Sequence, residues 1–202
     1  MSVTRPRATL SFDKRVLSVP PRGSGRVSSE KRRTIDAMPI TIKAAVITVS
    51  DACSRGERED SSGKALVELL NRLPAEVNET KIVSDDLEPL SELLKTLAVR
   101  DDVNLIVTTG GTGFGPRDNT PEATLAVIER EAPGLAEAMR NETLKQTPMA
   151  MISRGVCGIR AGTLIVNLPG SPKAVQESFA VIAPVLAHAI ALLEGQRGGG
   201  LH

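Results

Sequence analysis

From about residue 40 onward, short runs of apolar, mostly β-branched residues alternate with longer stretches in which apolar positions recur every three or four residues. This change of period predicts strands interleaved with amphipathic helices, and near-continuous apolar runs belong to strands buried on both faces. Strands are expected at 44–49, 81–83, 103–108 and 164–168, and helices at 63–72, 89–100, 121–131 and 172–193, several opened by Ser or Thr ahead of Pro. Residues 156–160 and 163–166, joined through Ala161-Gly162, have the spacing of an antiparallel edge hairpin. The order of elements gives an α/β domain over residues 39–195, with a mostly parallel sheet covered by helices on both faces. Residues 1–38, rich in Ser, Arg, Pro and Gly and without periodicity, read as a flexible basic extension, and 196–202 as a flexible C-terminal tail.

Composition narrows the function. A chain of 202 residues with 41% hydrophobic content can bury a core, but with three Phe and no Trp or Tyr that core must be aliphatic. Bases then have few rings to stack on, which speaks against single-stranded nucleic acid as a partner. The net charge of +1 conceals a balance of +6 over residues 1–38 and −5 over the rest, so the basic character is confined to the extension and forms no patch for DNA. That extension fits a solvated tail, a transit peptide or an upstream start ahead of Met38. Cys53 and Cys157 lack metal-site spacing and are expected as buried free thiols. No apolar run is expected to be long enough to cross a membrane, and a cytoplasmic protein is the expectation.

In a sheet of this kind ligands bind beyond the carboxyl ends of the strands, where helix N-termini present free N–H groups. Four segments fall there: Ser50-Asp51, Ser84-Asp85-Asp86, the run T-T-G-G-T-G-F-G-P-R-D-N-T-P-E-A at 108–123, and N-L-P-G-S-P at 167–172. Gly110, Gly111, Gly113 and Gly115 allow a backbone to approach an anion, although a tight turn without ligand explains the glycines equally well. A dinucleotide fingerprint is excluded by Pro116, and a P-loop by six residues between Gly56 and Gly63 and by Ala65 after Lys64. Asp51, Asp85, Asp86 and Asp118 would repel one another on neighbouring loops unless a cation sat among them, and Mg²⁺ carrying a triphosphate is the natural candidate. Any one of them taken singly reads as a turn or cap residue.

Three blocks, T-V-S-D-A-C-S-R-G with E-D-S-S-G (48–63), the 108–123 run, and S-R-G-V-C-G-I-R through N-L-P-G-S-P (153–172), resemble the molybdopterin adenylyltransferase family, which includes the G domain of gephyrin. The resemblance spans about residues 43–194. It implies a three-layer α/β sandwich, a homotrimer, and transfer of AMP from Mg-ATP to the phosphate of molybdopterin within the molybdenum cofactor pathway, whose other proteins become candidate partners. By motif, Asp85 and Asp118 correspond to the two acidic residues needed for transfer, and they would hold Mg²⁺ or orient the attacking phosphate. Ser50, Asp51, Gly63, Gly110, Gly111, Thr112, Gly113, Asn167, Pro169, Gly170 and Ser171 match binding positions. Arg117 and Lys173 are expected to neutralise phosphate charge, with a surface ion pair and a solvated first-turn residue as the respective alternatives. Many members carry Pro at position 84 and Val at 119, which puts only the shape of the Asp85 loop in doubt. His188 is expected as a partly buried packing residue, and Met149 and Met151 as fillers of core or subunit contacts. A non-catalytic relative, or a trimeric scaffold binding molybdopterin or a partner protein, is the rival reading.

Overall fold

In the computed structural model, residues 41–197 are described; the extension at 1–38 and the last five residues lie outside them. Strand β1 (Ile42–Val49) is followed by a single-turn helix α1 (Asp51–Ser54), then α2 (Ser61–Leu70), β2 (Ala75–Val83), α3 (Leu87–Ala98) and β3 (Leu105–Thr109). After α4 (Thr120–Leu125) come β4 (Arg130–Glu131), α5 (Pro133–Leu144), a 3₁₀ turn (Pro148–Ile152), β5 (Cys157–Arg160), β6 (Thr163–Leu168) and α6 (Pro172–Arg197). The six strands form one sheet in the order β2-β1-β3-β6-β5-β4. Neighbours among β2, β1, β3 and β6 run parallel, while β5 pairs antiparallel with β6 and β4 antiparallel with β5.

Alternation along β1 divides the core into two halves. Ala44 and Val46 face α2, α5 and α6, packing with Leu66, Met139, Phe179 and Leu186. Ala45, Ile47 and Val49 face α3 and α4, packing with Leu90, Leu94 and Ala123. The result is the expected three-layer sandwich, whose layers are aliphatic because the chain offers almost no rings.

Several expectations need correction. The stretch 121–131 is not one helix: α4 stops at Leu125, and Glu129 N–H and Ala132 N–H bond to the Ile159 and Cys157 carbonyls, 2.8 Å each, so tertiary pairing with β5 overrides helical propensity. Strand β2 begins six residues earlier than its apolar run; it is the sheet edge, with alternating half-buried and exposed side chains and a bulge at Asn78. Helix α5, with only Ala136, Met139 and Thr143 buried, was too polar to stand out. Helix α6 runs to Arg197 and, at Pro172–Gly195, is long and apolar enough by length and composition to cross a membrane, contrary to expectation. Val175, Phe179, Ile182, Leu186, Ile190 and Leu193 make its buried stripe part of the core. His188 is exposed rather than partly buried, and of the two expectations for Met149 and Met151 the core is excluded, since both are exposed on the 3₁₀ turn. Cys53 and Cys157 are buried free thiols.

Candidate functional site

Four parallel strands deliver the four singled-out segments to one end of the sheet. Ser50 and Asp51 follow β1, Asp85 and Asp86 follow β2, the glycine run follows β3 and the Asn167–Ser171 loop leaves β6. The backbone turns away from β3 at Gly110 with φ 101°, and a Cβ there would lie 2.2 Å from the Val49 carbonyl oxygen, so only glycine lets the loop cross β1 this closely. Leu168 and Pro169 carbonyls accept from Gly110 N–H (3.1 Å) and Thr109 Oγ1 (2.7 Å), and the Thr120 hydroxyl donates to the Gly110 carbonyl at 2.9 Å.

The carboxylates interlock. Asp51 N–H donates to Asp85 Oδ2 at 2.7 Å, and Asp85 N–H returns a bond to Asp51 Oδ1 at 3.1 Å. Asp118 accepts from Gly115 N–H at 2.8 Å, closing the glycine loop upon itself. A side chain at 111 would begin 3.0 Å from Asp85 Oδ1 and one at 113 would begin 2.9 Å from Asp118 Oδ2, so the two acids flank one stretch of loop. Burial, reinforced by the charges of Asp51 and Asp118, raises the Asp85 pKa. Arg117 grips Asp51 through Nε (3.0 Å) and Nη2 (2.8 Å) and reaches Asp86 through Nη1 at 2.9 Å. Its hydrogen bond holds the Asp51 carboxyl below the usual range, and the Ser84 hydroxyl, then Arg117, does the same for Asp86. Among the described residues no Lys or Arg side chain is hydrogen-bonded to the carboxylate of Asp85 or Asp118, the two acids beside Gly111 and Gly113.

Beside this loop lies a cavity of about 400 Å³ between α5, α6 and the 3₁₀ turn, walled by Gly111, Thr112, Gly113, Asp118, Pro169, Gly170 and Ser171. Met139, Ala136 and Ile152 give it an apolar side, and Arg140, Thr143, Ser153 and Glu177 a polar one. An open, mostly apolar space with a few convergent polar groups is the usual lining of a small-molecule site. Ser171 accepts from Ala174 N–H at 3.2 Å and caps α6, while Lys173 is 85% exposed with Glu177 3.8 Å away.

Two expected residues stand in other settings. Asn167 also lines the cavity, but its amide donates to Thr108 (3.0 Å) and Thr124 (2.9 Å) and accepts from Val156 N–H (3.1 Å), so it ties β6 to β3 and α4. Gly63 lies away from the glycine loop, in a second cavity of about 700 Å³ between α2 and β2, where Asp60 caps α2 by accepting Gly63 N–H at 2.8 Å and the Thr48 hydroxyl at 2.7 Å. Ser50 caps α1 and accepts from Arg58 at 3.0 Å. Sequence reasoning passed over Arg58, Asp60, Arg140 and Arg154. Asp60 had a signal, standing just ahead of S-S-G as an N-cap should; the arginines had none beyond the blocks in which they stand.

Among the described residues no three His, Cys, Asp or Glu side chains are grouped to hold a metal. Magnesium sharing its shell with phosphates and water needs only one or two carboxylates, and Asp85 and Asp118, beside the glycine loop and neither ion-paired among the described residues, fit that demand.

The profile of a family described as a probable molybdopterin binding domain matches residues 45–188. The chain is 43% identical over 154 residues to the molybdenum cofactor synthesis protein cinnamon of Drosophila melanogaster, covering 76% of this chain and 26% of that one. It is 40% identical over 158 residues to a molybdopterin adenylyltransferase of Helicobacter pylori strain J99, covering 77% and 89%. Among solved structures, a molybdopterin biosynthesis enzyme MoaB from Thermus thermophilus superimposes with a TM-score of 0.73 at 48% identity, covering 76% of this chain and 97% of that one. The molybdopterin biosynthesis Mog protein from Mycobacterium ulcerans gives 0.70 at 41% identity, covering 75% and 99%.

Proposed function

The chain belongs to the molybdopterin adenylyltransferase family, and on that premise we propose that it transfers AMP from ATP to the phosphate of molybdopterin, releasing pyrophosphate. The observation that carries the reading is the pairing of Asp85 and Asp118 across a glycine loop that also walls a cavity of about 400 Å³. A phosphate oxygen of molybdopterin attacks the α-phosphorus of ATP; one P–O bond forms as the bond to pyrophosphate breaks. Such transfer depends on alignment and on compensating phosphate charge. The cavity holds the pterin, and the glycine loop N–H groups meet the phosphates. Asp85 and Asp118 would hold Mg²⁺, whose chemistry when bound is to neutralise phosphate charge. Arg117 is bound to Asp51 and Asp86, and an incoming triphosphate competes with them for its guanidinium.

A homotrimer in the cytoplasm completes the proposal. Val99, Phe114, Met149, Met151 and Leu192 are each more than half exposed, apolar surface of the kind a cyclic assembly covers. Incubation with molybdopterin, ATP and Mg²⁺ followed by mass spectrometry is the direct test. Adenylated molybdopterin and pyrophosphate are expected; molybdopterin bound but unchanged would assign the chain to binding without catalysis.

A further inference from the structure

Arg154 stands in the connection between the 3₁₀ turn and β5, yet its bonds go to the glycine loop and the start of α4. Its Nε donates to the Gly113 carbonyl at 2.7 Å, Nη2 to the Asp118 carbonyl at 2.5 Å and Nη1 to the Glu122 carboxylate, while its own backbone N–H donates to the Thr112 carbonyl at 2.8 Å. One planar guanidinium thus spans the 113–118 stretch of a loop, 110–119, that has four glycines and no strand or helix of its own.

All described peptide bonds are trans, so a carbonyl and the next residue's N–H point in opposite directions. With the Thr112, Gly113 and Asp118 carbonyls turned to Arg154, the N–H groups of Gly113, Phe114 and Asn119 are turned away from it. Those of Gly113 and Phe114 have no partner among the described residues. The Asp118 carboxylate, bound to Gly115 N–H, is held by the same anchored segment.

We infer that Arg154 is a positioning residue for adenylyl transfer: by fixing the carbonyl side of the 112–118 loop it aims the loop N–H groups and the Asp118 carboxylate at the transferring phosphates. This role rests on the proposed transferase reading, and Arg154, engaged by Gly113, Asp118 and Glu122, touches neither substrate itself. It predicts that the loss appears in the rate and not in the affinity for molybdopterin, because Arg154 does not itself line the cavity, whose walls also come from α5, the 3₁₀ turn, the 167–171 loop and α6.

The test compares wild type with Arg154→Met, which keeps the apolar stem, and Arg154→Lys, whose single ammonium can restore only part of the fork. Three quantities are measured: single-turnover transfer at saturating molybdopterin and Mg-ATP, molybdopterin Kd, and backbone hydrogen exchange of residues 110–119 without substrates. Expected for Arg154→Met is a fall in transfer on the order of 10- to 100-fold with Kd within about threefold, together with faster exchange confined to the loop. Arg154→Lys should recover part of both the rate and the protection. An unchanged rate in folded Arg154→Met, or a Kd rising in step with the loss of rate, overturns the inference. If wild type transfers nothing, the proposed function falls instead, and unchanged loop exchange in Arg154→Met still overturns the positioning role.

Discussion

Asp85 occupies a place where an ionised carboxylate is at a disadvantage. Burial first, then the charges of Asp51 and Asp118, lift its pKa above the ordinary 3.8. An acid whose folded pKa is raised adds stability below its unfolded value that is lost as pH climbs through the folded one. Asp85→Asn keeps an oxygen to accept Asp51 N–H, so it should melt above wild type at pH 7, with the gap narrowing as pH falls through the raised folded pKa and closed below about 3.8; thermal melts across that range check the sign. Its transfer rate should nevertheless fall by about 10²-fold or more, as should that of Asp118→Ala, while molybdopterin binding stays equal or tightens because a charge that repels phosphate is gone. Weakened binding with an unchanged single-turnover rate in Asp118→Ala would make that residue structural. Both acids were legible in the sequence, because each follows a strand end. That Arg117 binds Asp51 and Asp86 and leaves Asp85 and Asp118 as the open pair was not, since residues 51, 86 and 117 meet only through the sheet order.

At the scale of elements, Asn167 joins three of them. Truncation to Ala removes the acceptor of the partly buried Val156 N–H and strands the buried hydroxyls of Thr108 and Thr124, which should cost roughly 2–3 kcal/mol, seen as a lower midpoint in denaturant. Gly110→Ala is more severe: the left-handed φ and the 2.2 Å approach to the Val49 carbonyl oppose any side chain there, and little soluble, folded protein is expected on expression. The strands β1, β3 and β6 were visible as apolar runs because parallel strands buried on both faces leave no polar positions. The edge strand β2 and helix α5 carry charge on their open sides and so lack that signal. The 121–131 error has a different root: a segment that is helical by composition gives way to a strand pair it meets far along the chain.

For the whole molecule, light scattering at micromolar concentration should return a trimer mass; a monomer in moderate salt would remove that part of the proposal. A truncation beginning at Met38 should keep the melting temperature and turnover of the full chain, because residues 1–38 carry no core-forming pattern. Apolar periodicity and turn residues, which act over a few positions, determined the layers, the hairpin at Ala161-Gly162 and the loops on which chemistry could stand. Resemblance over those same loops supplied the family. Only the tertiary structure decided that Gly63 faces a cavity away from the glycine loop, that Asn167 is consumed by its own fold, and that Arg154 reaches back over a loop some forty residues earlier. Such pairings depend on strand order and crossing geometry, which local pattern does not encode, because a side chain's partner is set by where distant elements come to rest on the sheet.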